Sequence, residues 1–157
     1  MELIIGAGIL GVIIVILVMV IVIFLVVPKL VTKAMEPALE RRLSKVYAPE
    51  QLVLRDLKAV TLGLESKGVM QLRGNGALVL TANELGWFRF VPERSDLRIP
   101  RENITKVDTV QTHLGKTYFR DLLRVTFMNN GRPDSMAWYV TDLGAWLTRL
   151  REPAETA

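Results

Sequence analysis

The densest group of side chains able to do chemistry in this 157-residue chain lies between Thr112 and Arg120 (Thr-His-Leu-Gly-Lys-Thr-Tyr-Phe-Arg). It contains His113, the chain's single His, the cations Lys116 and Arg120, and the aromatic pair Tyr118 and Phe119. An imidazole acts as a general base only beside a nucleophile and an orienting group. Asp121 alone does not complete such a set, and Ser44, Ser66, Ser95 and Ser135 lack the context of a nucleophile elbow. The absence of Cys excludes a disulfide framework and a Cys-based metal site, and a single His nearly excludes a His-based one. The sequence therefore predicts no catalytic residue, no metal and no cofactor; an enzyme of unrecognised type is the outside alternative. Two cations next to two aromatics suit an interface, so His113, Lys116, Tyr118, Phe119 and Arg120 are the candidate contacts to a lipid surface or a partner. The competing reading is a hairpin loop whose aromatics tuck over the end of a barrel.

A second basic group follows the first apolar segment: Lys29, Lys33, Arg41, Arg42 and Lys45 against Glu36 and Glu40, a net +3. From residue 46 onward 15 Lys/Arg face 13 Asp/Glu, only +2, which is no basic stripe for nucleic acid. Gly6-Ala7-Gly8-Ile9-Leu10-Gly11 matches a dinucleotide-binding pattern, but the helix that follows it is the apolar span and the next acid is Glu36, so no nucleotide cofactor is expected. Ala7 and Gly11 offer a small-x-x-x-small spacing through which helices self-associate.

The elements that must position these residues fall into three stretches. Leu3–Val27 is 25 uncharged apolar residues. As a helix it would extend ~38 Å against roughly 30 Å of bilayer hydrocarbon, so it predicts a single transmembrane helix over 3–27. The basic flank that follows places the carboxy-terminal bulk in the cytoplasm and the amino terminus outside, in a plasma (inner) membrane. Residues 28–57 read as a basic tether with a short amphipathic helix at Ala34–Val46, Leu39, Leu43 and Val46 sharing a face. That helix is either a solvated spacer or one lying on the anionic leaflet.

Residues 58–151 alternate as short strands: Lys58–Glu65, Val69–Arg73, Ala77–Thr81 after a Gly74-Asn75-Gly76 turn, Leu85–Val91, Leu97–Pro100, Ile104–Val110, Leu122–Met128 and Ser135–Val140. Pro92–Asp96 reads as a turn and Gln111–Arg120 as a loop. Thr141 or Asp142 caps a helix with Leu143, Trp146, Leu147 and Leu150 on one face. Phe88, Phe90, Leu123, Val125, Phe127, Trp138 and Trp146 are the expected core, and 152–157 a disordered tail. The expected fold class is thus an amino-terminal transmembrane helix plus a mainly-β barrel or sandwich of six or seven antiparallel strands, closed by a carboxy-terminal helix.

Gly76-Ala77-Leu78-Val79-Leu80-Thr81, Leu85 after three further residues, the aromatic strand Trp87-Phe88-Arg89-Phe90 and Leu97-Arg98-Ile99-Pro100 with Ile104 resemble the pleckstrin-homology-like superfold, in its GRAM and bacterial PH-like branches. The resemblance spans about residues 58–151 and implies a non-catalytic binding module. The basic loop of phosphoinositide-binding members is missing, since Thr81-Ala82-Asn83-Glu84 is short and acidic. The expectation is a membrane-anchored module that binds a lipid surface or a protein partner. The alternative is a membrane scaffold assembled through the domain or the span.

Overall fold

The computed structural model describes residues 2–90 and 96–153, with side chains in the first helices described at 11, 13–25, 27, 30 and from 35 onward. The turn expected at Pro92–Asp96 falls largely outside these residues, as does most of the expected tail. The chain forms two compact units, Met1–Pro37 and Ala38–Ala157.

The first unit is helical. Helix α1 covers Glu2–Ile21, a π-helical turn follows at Val22–Val26, and α2 runs Val27–Leu43. The single span expected over Leu3–Val27 is overturned: among the described residues no helix is long and apolar enough to cross a membrane. The physical reason lies in the backbone. The apolar run is not one continuous α-helix: its ladder is interrupted at Val22–Val26, and the helix that resumes at Val27 carries acids and bases through its length. The single-pass topology, the inner-membrane localisation and the membrane assignment that rested on this span are corrected with it. Described side chains from Ile13 to Leu25 are exposed.

The second unit is one seven-stranded antiparallel sheet rather than a two-sheet sandwich. Its strands are β1 (Leu52–Leu64), β2 (Gly74–Thr81), β3 (Glu84–Arg89), β4 (Leu97–Pro100), β5 (Ile104–His113), β6 (Lys116–Asn129) and β7 (Arg132–Tyr139), followed by helix α3 (Leu143–Arg151). Their order is β4-β3-β2-β1-β7-β6-β5. Trp87 on β3 and Trp138 on β7 are three strand steps apart, roughly 14 Å in a flat sheet, yet their ring centroids lie 6.2 Å apart. The sheet is therefore curled, and its inner face forms one core: Leu78, Leu80, Trp87, Ile99, Leu123, Val125, Phe127, Met136 and Trp138. Leu123, Val125 and Phe127 are buried while Arg124 and Thr126 between them are half-buried, a strand with one apolar face. Helix α3 adds Trp146 and Leu150 to this core, and its N-cap is Asp142, whose carboxylate accepts the Ala145 N–H at 3.0 Å.

The run Ala77-Leu78-Val79-Leu80 is apolar at every position because both faces of β2 are covered. Leu78 and Leu80 face the curled core; Ala77 and Val79, with Phe88, pack against Leu39, Leu43 and Tyr47. The end of α2 is thus a packed element of the sheet domain, reached by side chains four apart. Val46, expected on that face, is at the edge of exposure, and Tyr47 takes its place. Tyr47 meets Phe88 edge-on at 5.8 Å and donates its hydroxyl to Glu84. Burial, then this acid, pushes its ionisation upward.

Three local expectations change. Gly74-Asn75-Gly76 lies inside β2 rather than in a turn: a Cβ at Gly76 would sit 2.3 Å from the Phe88 carbonyl oxygen, so the glycine serves close strand approach. Residues 68–73 form a loop, not a strand. Gln111–Arg120 is not a loop, because β5 and β6 continue through it to a two-residue turn at Leu114-Gly115. Both turn residues have positive φ, 51° and 69°, as a tight hairpin requires. Of the expected core, Phe90 is only half-buried; the other six residues are buried.

Candidate functional site

The last three residues of β1 organise the candidate site, because side chains from two different segments hydrogen-bond to their main chain. On one side Gln71 uses its whole amide: Nε2 donates to the carbonyls of Leu64 at 2.6 Å and Gly68 at 2.7 Å, while Oε1 accepts the Leu64 N–H at 3.0 Å. This pins the 68–73 loop. On the other side His113 Nε2 lies 3.0 Å from the Gly63 carbonyl, and Lys116 Nζ donates to the Leu62 carbonyl at 3.1 Å. A carbonyl can only accept, so Nε2 carries the proton. Burial lowers the His113 pKa below its ordinary value, the Gly63 contact opposing. Gly63 itself sits at φ +121° where the two segments converge.

The β5–β6 hairpin reaches β1 by folding over the outer face, where Leu62, Leu122 and Ala137 form a small core with Val110, Tyr118 and Tyr139 around it. It bends at a bulge: Val110 pairs with Leu122 and Thr112 with Thr117, so Tyr118–Asp121 oppose Gln111 alone. Tyr118 stacks on Tyr139, with centroids 4.4 Å apart and planes at 25°. Arg73 links the two segments by donating to the Thr117 carbonyl at 2.7 Å, with its guanidinium 6.0 Å from the Tyr118 ring centre.

Of the five sequence-derived contacts, then, His113, Lys116 and Tyr118 face the protein, while Phe119 and Arg120 face solvent. Phe119 is 93% exposed and sits at φ +57°, its N–H held by the Thr117 hydroxyl at 3.0 Å. Beside it, the loop that Arg73 ties to the bulge presents Met70 at 91% exposure and Leu72 at 80%. Sequence reasoning missed these two because it placed them in a strand over Val69–Arg73, where alternate apolar residues would be buried.

The second basic group does not assemble as one surface. Arg42 is turned into the sheet domain, pairing with Asp96 at 2.5 Å and donating to the Arg89 carbonyl at 3.0 Å, while Arg41 and Lys45 are exposed. Lys29 and Lys33 lie outside the residues whose side chains are described. Among the described residues no three His, Asp or Glu side chains come together as a metal site.

No family model fits the chain, and no curated protein is significantly similar to it. The pleckstrin-homology-like resemblance thus rests on the sequence motifs alone.

Proposed function

We propose that the sheet domain is a non-catalytic binding module that docks a protein partner on the surface carrying Val69, Met70, Leu72, Arg73 and Phe119. The observation that carries this reading is Phe119. A bulky residue in the left-handed region costs about 1–3 kcal/mol, and here the ring buries almost nothing in return. The bulge needs this backbone, but Gly or Asn would serve it at less cost, so a Phe whose ring stays exposed points to an external contact. Exposed Phe and Met next to an oriented Arg are the residue types enriched at protein interfaces. A protein is favoured over an anionic bilayer because two of the cations here, Arg73 and Lys116, bind main-chain carbonyls. The non-catalytic part of the reading is supported by His113, whose Nε2 proton is directed at Gly63.

The test places a photo-crosslinking residue at position 119 of the full chain in cells, with a control at exposed Thr148 on α3. The expected result is a discrete protein adduct from 119, absent from 148 and lost when Met70→Asp and Leu72→Asp are introduced together. Identical adducts from both positions, indifference to the two aspartates, or adducts to lipid alone would overturn the reading.

A further inference from the structure

Next to this surface, at the open end of the curled sheet, lies a cavity of about 120 Å³. It is smaller than the roughly 300–1,000 Å³ of drug-sized pockets and suits a group the size of one amino-acid side chain. Leu64, Trp87 and Met136 line it with apolar atoms; Lys67, Arg89 and Asp96 supply its charges. Asp96 is already satisfied, paired with Arg42 and accepting the Arg89 main-chain N–H. The two cations are not: among the described residues neither Lys67 nor Arg89 has a carboxylate partner. Arg89 is nevertheless held in place, its Nη2 donating to the carbonyls of Leu72 and Arg73 at 3.3 Å each. Its Nε is buried with no hydrogen-bond partner at all. Gly74 makes room for this group: a Cβ there would stand 2.4 Å from Nε, so the guanidinium is packed against β2 beside the cavity.

We infer that this cavity takes a carboxylate on a short apolar stem, supplied by the docked partner as an acidic side chain. The stem lies on Trp87 and Met136, and the carboxylate is held between Lys67 and Arg89. Leu72 lines the cavity and is also part of the exposed surface, so one segment can fill both. The inference rests on the docking reading above and adds the chemistry of the anchor.

The experiment titrates the full chain with acetyl-Leu-Glu-Leu-amide, its Gln counterpart and free glutarate, following the Arg89 Nε–Hε resonance by NMR. The Glu peptide is expected to shift that resonance to saturation, with the Gln peptide at least tenfold weaker, since the charge-assisted bond is lost. Lys67→Gln, at an exposed position, should weaken the Glu peptide severalfold and leave the Gln peptide unchanged. Equal binding of the two peptides, or equal effects of Lys67→Gln on both, would overturn the anchor while leaving crosslinking at 119 to decide the docking reading. Glutarate binding as tightly as the Glu peptide would assign the cavity to free small acids and likewise overturn a partner-borne carboxylate. A selective Glu-peptide response without a partner adduct at 119 would support the anchor chemistry and count against the wider surface.

Discussion

Replacing Leu43 by Ala tests whether the end of α2 is part of the sheet domain. Leu43 is 2% exposed and packs with Leu39, Tyr47, Val79 and Phe88. Leu→Ala removes about three methylene equivalents, ~2.4 kcal/mol at ~0.8 kcal/mol each. A partly unrelaxed cavity raises this, since buried Leu→Ala changes span about 2–5 kcal/mol. We expect ~3 kcal/mol, and a Tm lower by roughly 10 °C at ~3–4 °C per kcal/mol for a unit of this size. Urea unfolding of the full chain, followed by tryptophan fluorescence, is the assay. Trp87, Trp138 and Trp146 all lie in the curled core, a different cluster from Leu43. A shift in their common midpoint therefore reports coupling of α2 to the whole sheet. Ser44→Ala, one residue on and exposed, should stay within ~0.5 kcal/mol. A Leu43→Ala effect no larger than this control would show the helix to be a solvated spacer and refute the packing argument.

Gly63→Ala should cost more than Gly131→Ala, although both sites have positive φ. A Cβ at 63 meets Gln71 Nε2 and Leu114 Cδ1 at 3.1 Å, whereas nothing lies within 4 Å at 131. About 1–2 kcal/mol is expected at 131 from backbone strain alone, and equal losses by denaturant titration would contradict the convergence of segments at Gly63. Asp108 accepts both guanidinium hydrogen bonds of Arg124, at 2.8 and 2.6 Å, which holds its pKa at about 2. Its folded pKa is depressed, so its stabilisation is full above the usual carboxylate range and disappears as pH falls through about 2. Asp108→Asn should cost ~1 kcal/mol at pH 7, after allowance for solvent screening, and progressively less as pH falls toward and below 2; a pH-independent loss would contradict the assignment. Trp146→Ala, at 1% exposure, should cost ~3–5 kcal/mol, and a loss under ~1 kcal/mol would mean that α3 does not close the core.

Legibility in the sequence followed the physics of each segment. The alternation of Leu123, Val125 and Phe127 and the spacing of Trp146 and Leu150 identify their elements because one face is buried and the other wet. Ala77–Leu80 hides its second covering layer, since a run apolar at every position does not say what lies on each side. Gly74 and Gly76 look like a turn because glycine's tolerance of positive φ and its tolerance of close approach leave the same letter. The β5–β6 hairpin escaped because the bulge at Tyr118–Asp121 breaks the period-two pattern at the residues that looked most reactive. His113, Lys116 and Gln71 owe their roles to main-chain carbonyls, which carry no sequence signature. Hydropathy located the apolar run of Leu3–Val27 but not the change of helical hydrogen bonding at Val22–Val26 that divides it.

The sharing of Leu62–Leu64 by Gln71, His113 and Lys116 has a consequence for how this surface can be varied. Each segment is fixed by a side chain of set reach, so one residue added within 68–73 would carry Gln71 away from Leu64, and one added at the hairpin turn would lift His113 from Gly63. Loop length, ordinarily the cheapest quantity for evolution or a designer to change, is locked here. Diversity in what the surface recognises must come from exchanging outward side chains at positions 69, 70, 72 and 119 on an unchanged backbone. A library confined to those four positions should retain folding in most members, whereas one that inserts residues into either segment should lose it.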